Sequence, residues 1–102
     1  MNRTDIEAAL RSAGLPVLPE VIGGADWSVD YAYRLKTRDM VVSGRTEMFL
    51  TVDDGVCCLV WRREIDGAWA FQLVCECDSL RDCLMRPVAI MAPRVDGPWE
   101  MQ

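Results

Sequence analysis

A chain of 102 residues, 51% hydrophobic and without a single histidine, is the size of one domain with one core. The missing histidine excludes Ser-His-Asp triads, Cys-His dyads, imidazole proton shuttles and every His-containing zinc site. A net charge of −5 and a pI near 4.6 leave no cluster of Lys and Arg for a phosphate backbone, which argues against direct nucleic-acid binding.

In chain order, Thr4-Asp5-Ile6-Glu7 has the form of a capping box, and Ile6, Ala9, Leu10 and Ala13 then recur at helical spacing. Gly14 stands where a C-terminal cap belongs, which predicts a short helix over about residues 4–13. Leu15 to Pro19 is held extended by its two prolines, and Gly23-Gly24 reads as a loop. From Trp27 the period changes to two. Tyr31, Tyr33 and Leu35 alternate with Asp30, Ala32, Arg34 and Lys36, Met40 to Val42 continues or restarts that strand, and Ser43-Gly44 offers a turn. Met48, Leu50 and Val52 mark the next strand. Asp54-Gly55 and Asp66-Gly67 then separate runs at about 56–65 and 68–77, and an Asp-Gly between alternating runs is a strong hairpin signal. Asp78-Ser79 supplies an N-cap for a helix from Leu80 to Arg86, which Pro87 stops.

The expected fold is therefore α+β: a short N-terminal helix, a four-stranded antiparallel β-meander and a short C-terminal helix. Val88 to Met91 would add a fifth, edge strand. Residues 1–92 form the single domain, and 93–102, with two prolines, a glycine and Trp99, read as a flexible tail. Ile6, Leu10, Leu50, Leu59, Leu73 and Val88 are the expected core. No apolar run approaches the ~20 residues of a membrane span. The first residues carry no basic-then-apolar secretion signal, so a cytoplasmic address is expected.

Strands three and four carry apolar residues on both faces. Trp69, Phe71, Leu73, Cys75 and Cys77 alternate onto one face of strand four, and Cys57, Leu59, Trp61 and Ile65 onto one face of strand three. A one-sided sheet alternates more cleanly with polar residues, so the second face calls for cover: a helix, a second copy or a partner.

The chemistry-bearing residues are few. Five cysteines, an odd number, in a chain with no secretion signal read as reduced, packed thiols. The alternative is a Cys₄ zinc site in which Cys75, Cys77 and Cys83 converge with Cys57 or Cys58. Asp53-Asp54 and Asp66 fall on turns at opposite edges of the meander, where Asp bonds its own backbone, and an acid–base pair between them is excluded. There is no Gly-x-Ser-x-Gly elbow and no phosphate-cradling glycine loop. No catalysis, cofactor or metal is expected.

Recognition remains. Ten of the eleven basic residues are Arg, the cation enriched at protein interfaces. Trp61 and Trp69 are the candidate anchors for a partner, with Arg62 and Arg63 at the rim. Size, acidity and the helix-plus-meander outline are similar to two groups, the small phage-borne inhibitors of bacterial defence enzymes, anti-CRISPR proteins among them, and the acidic chaperones of type III secretion. The second group carries a longer amphipathic C-terminal helix than Leu80 to Arg86 supplies. The first resemblance implies an inhibitor that occupies a surface on a larger, basic or nucleic-acid-binding protein. The second implies a homodimeric chaperone or adaptor whose open sheet face is closed by another copy.

Overall fold

The computed structural model describes residues 1–23, 26–35, 46–85 and 99–101. Helix α1 (Arg3–Ser12) is capped by Asn2, whose side chain accepts from the Asp5 N–H at 2.9 Å. The capping box expected at Thr4 is not the cap. Asn2, an equally good cap residue, already satisfies the first turn, and the Glu7 carboxylate instead accepts from the Tyr33 hydroxyl at 3.0 Å. At the other end Gly14 takes φ +76°. This lets Gly14 N–H donate to Arg11 O and Leu15 N–H to Leu10 O, both at 3.0 Å, the double closure of a Schellman motif.

Among the described residues the sheet is six-stranded and antiparallel throughout, and its strand order follows the chain. The four long strands are β2 (Tyr31–Leu35), β3 (Glu47–Asp53), β4 (Val56–Ile65) and β5 (Ala68–Cys77). They are the expected meander. Two-residue strands β1 (Pro19–Glu20) and β6 (Glu100–Met101) flank it. Both tight turns place their two central residues at positive φ, Asp54-Gly55 at 49° and 77° and Asp66-Gly67 at 50° and 82°, as two-residue hairpins with right-handed strand twist require. Helix α2 (Leu80–Met85) follows β5 and is capped by Ser79, whose Oγ accepts from the Asp82 N–H at 3.1 Å.

Both helices cover one side of the sheet. Ile6 and Leu10 of α1 and Cys83 and Leu84 of α2 pack with Tyr33, Met48, Leu50, Val52, Leu59 and Trp61 into the main core. Period-two alternation sends Ala32, Phe49 and Phe71 to the opposite side, where they form a smaller cluster with Ile22.

Strand β5 departs from simple alternation. Leu59 pairs with Cys75, but the next residue, Val60, pairs with Leu73, so Val74 is an extra residue in the ladder. A one-residue bulge exchanges the faces of everything beyond it. Cys75 and Cys77 therefore stay on the helix side while Leu73, Phe71 and Trp69 turn to the other, and the single face expected for all five is divided. Leu73, expected in the core, is 59% exposed for this reason. Ile6, Leu10, Leu50 and Leu59 are fully buried, as expected.

Of the C-terminal tail, residues 99–101 are described: Trp99 packs against the main core and β6 pairs with β5. The readings for Met40 to Val42, Ser43-Gly44, Val88 and the Val88–Met91 strand lie outside the described residues. Among the described residues no helix is long and apolar enough to cross a membrane.

Candidate protein-binding face

The side of the sheet away from the helices is built from alternate positions of three strands: Phe49 and Thr51 on β3, Cys58, Val60 and Arg62 on β4, and Trp69, Phe71 and Leu73 on β5. No helix covers it. The loop that carries residues 22, 23 and 26–29 folds over one part. Its ends are closed by a bridge between Gly23 and Ser28 and by Val29 N–H donating to Ile22 O at 3.2 Å. Gly23 is required there, because a Cβ would stand 2.8 Å from the Trp27 carbonyl oxygen. This loop sets Trp27 against the Phe71 ring, centroids 5.6 Å apart and planes at 89°, the edge-to-face geometry that aromatic quadrupoles favour.

Between the loop and the strands lies an open groove of about 340 Å³, lined by Ile22, Trp27, Val29, Val60, Phe71 and Leu73 with Thr51, Cys58, Gln72 and Glu100. Its floor is largely apolar. The lip carries exposed Trp27 and Leu73, and exposed Val56 and Trp69 extend the apolar surface along β4 and β5. Burial, followed by the charge of Glu76, pushes the Cys58 thiol above its ordinary 9.0, so it serves the groove as a small neutral surface.

Arg62 lies on the same face, opposite Phe71 on β5. Its guanidinium lies 4.5 Å from the Phe49 ring centroid and 4.2 Å from that of Trp69, and it donates to Glu47 Oε2 at 2.7 Å. Arg34 reaches the other oxygen of Glu47 at 3.5 Å. One carboxylate therefore holds both described cations of this face, while Glu64, Glu76 and Glu100 stand exposed around the groove. Arg62 Nε is buried without a hydrogen-bond partner among the described residues; the fork is held by stacking and by Glu47.

The four residues singled out from the sequence separate. Trp61 is 4% exposed in the main core and has no surface to offer a partner, which corrects its reading as an anchor. Trp69, 37% exposed, sits on the opposite side. Arg62 is stacked between two rings and is not a free rim charge. Arg63 belongs to the helix side, where its Nε donates to Thr46 Oγ1 at 2.9 Å and its guanidinium lies 5.2 Å from the Trp99 ring centroid. Alternation alone separates Trp61 from Arg62, and the bulge at Val74 decides where Trp69 points. Ile22, Trp27, Val29 and Leu73 were not singled out as site residues. The first three reach the sheet through a loop with no periodic signal, and Leu73 through the bulge.

The cysteines also divide. Cys77 and Cys83 form a disulfide between β5 and α2, with Cα atoms 5.4 Å apart, which corrects the expectation of five reduced thiols. Cys57, Cys58 and Cys75 are free. Among the described residues no group of three or more Cys, Asp or Glu is arranged to hold a metal ion, so the four sulfurs do not meet as a zinc centre here. Compared with protein-family models, curated proteins and solved structures, the chain matches none, and the face must be interpreted from its own geometry.

Proposed function

We propose that this chain is a non-catalytic binding domain that docks a protein partner on the sheet face opposite the helices, as an inhibitor of a larger nucleic-acid-handling complex in the cytoplasm. The observation that carries the reading is the groove of about 340 Å³ whose lip exposes Trp27 and Leu73 beside an apolar floor. Monomers seldom leave a concave apolar surface rimmed by charge without using it. The partner's chemistry follows from the rim. Glu64, Glu76 and Glu100 are exposed, Arg34 and Arg62 share the Glu47 carboxylate, and the chain carries −5 overall. An apolar segment flanked by Lys and Arg, as on the surface of a nucleic-acid-binding protein, complements that face, and the surrounding charge speeds its capture.

The test is to identify the captured partner and measure its affinity against surface variants. Trp27→Ala and Leu73→Asp are expected to weaken binding by about 2 kcal/mol or more, as hot-spot losses do, and rising salt should slow association. Unchanged affinity in both variants would move the interface elsewhere. Sedimentation of the isolated chain tests the second occupant: a dimer abolished by Leu73→Asp would replace the hetero-partner with another copy.

A further inference from the structure

Three sulfurs are placed in sequence at the end of β5. Cys77 Sγ is bonded to Cys83 Sγ of α2, and Cys75 Sγ lies 3.9 Å from Cys77 Sγ, about the contact distance of two sulfurs. The bulge at Val74 creates this placement, since it keeps Cys75 and Cys77 against the helix side while Leu73 turns away. Access to solvent is unequal. Cys77 is 7% exposed and Cys83 is fully buried, whereas Cys75 is half-buried at the edge of the core.

Exchange requires a thiolate to reach a disulfide sulfur directly. Burial of Cys83 and the near-burial of Cys77 hinder attack on the bonded pair by a thiol from solution, but Cys75 already touches Cys77. Cys57 stands opposite Cys77 on β4, yet it is buried, and burial pushes its thiol above the ordinary 9.0. Cys58 points to the other side of the sheet.

We propose that Cys75 is the relay thiol through which the buried Cys77–Cys83 disulfide exchanges electrons with thiols in solution. The Cys75 thiolate attacks Cys77 Sγ; the Cys75–Cys77 bond forms as the Cys77–Cys83 bond breaks, and Cys83 leaves with the electron pair and takes up a proton. A small monothiol of the glutathione class then attacks the accessible Cys75 Sγ, and Cys77 leaves as a thiolate and is protonated. A second monothiol attacks the small-molecule sulfur of the mixed disulfide and frees Cys75. The balance is one protein disulfide reduced to two thiols and two solution thiols oxidised to one disulfide. Residues two apart on a strand have Cα atoms ~6.7 Å apart, at the upper limit for a disulfide. The Cys75–Cys77 bond is therefore an intermediate and not the resting state.

The consequence falls on α2. Six residues make too short a helix to persist alone, and Cys83 ties it to β5. Opening the bond leaves α2 held by Leu80 and Leu84 beside a cleft of about 350 Å³ shared with Ala9 and Ser12 of α1.

The experiment treats the folded chain with reduced glutathione, quenches by alkylation and follows each cysteine by peptide mass. Wild type should show the glutathione adduct first on Cys75, and Cys75→Ser should lose the Cys77–Cys83 bond at least about tenfold more slowly. Cys57→Ser should react like wild type, and in denaturant all three should react alike. Equal native rates for wild type and Cys75→Ser, or a first adduct on Cys77 or Cys83, would overturn the relay. So would a chain that refolds in oxidised glutathione without forming the Cys77–Cys83 bond. The adduct map on wild type decides the matter even if Cys75→Ser folds poorly.

Discussion

Trp61 and Trp69 lie on adjacent strands and opposite sides of one sheet, and truncating each to alanine separates core from surface. Trp61 is 4% exposed, lies opposite Met48 on β3 and packs among Tyr33, Leu50 and Leu59. Removing a buried Trp side chain costs about 3–5 kcal/mol, a large share of the roughly 5–15 kcal/mol that holds a domain of this size. Trp69 is 37% exposed and stacks on Arg62 at 4.2 Å. Its loss removes a partly solvated ring and one of the two faces that hold the guanidinium, together about 1–2 kcal/mol. Urea unfolding followed by far-ultraviolet circular dichroism, which does not depend on the indole removed, measures both. Trp61→Ala should fall below Trp69→Ala by ~2 kcal/mol or more, and its thermal midpoint should drop by at least ~12 °C. Equal costs, or a larger cost at Trp69, would refute the assignment of faces and with it the bulge at Val74.

Leu59→Ala, at a fully buried position opposite Leu50, should cost about 2–5 kcal/mol in the same assay; a loss under ~1 kcal/mol would mean that the β4 alternation is inverted. Glu47→Gln withdraws the carboxylate shared by Arg34 and Arg62 and should destabilise by about 1–3 kcal/mol, reduced by the partial exposure of the pair. Equality with wild type would mean the network is solvent-screened. The Tyr33 hydroxyl is raised above its ordinary 10.0, first by burial and then by donation to Glu7. Because the folded chain holds that proton more tightly, the stability it contributes is complete below pH 10 and is lost as pH climbs through the raised value. Tyr33→Phe should flatten the stability profile between about pH 9 and 11, and the remaining slope belongs partly to Cys57 and Cys58, which are raised in the same sense. An unchanged slope would dismiss the Tyr33 contribution.

Local signals along the chain determined α1, the four long strands and α2, since each depends on neighbours within a few residues. Positive φ at Asp54-Gly55 and Asp66-Gly67, and the Schellman closure at Gly14, are properties of short segments that glycine makes possible. Alternation likewise identified Leu50 and Leu59 as core and gave two apolar faces to β4. What only tertiary structure decided is which way each face points and what covers it. The extra residue Val74 is invisible to a period of two, because a bulge is set by the partner strand; it moved Leu73 and Trp69 away from Cys75 and Cys77. Long-range closure also chose the Ile22–Val29 loop to wall the groove, docked Trp99 against the core and brought Cys83 to Cys77. None of these has a local signature, because each contact joins segments whose proximity exists only after the sheet has formed.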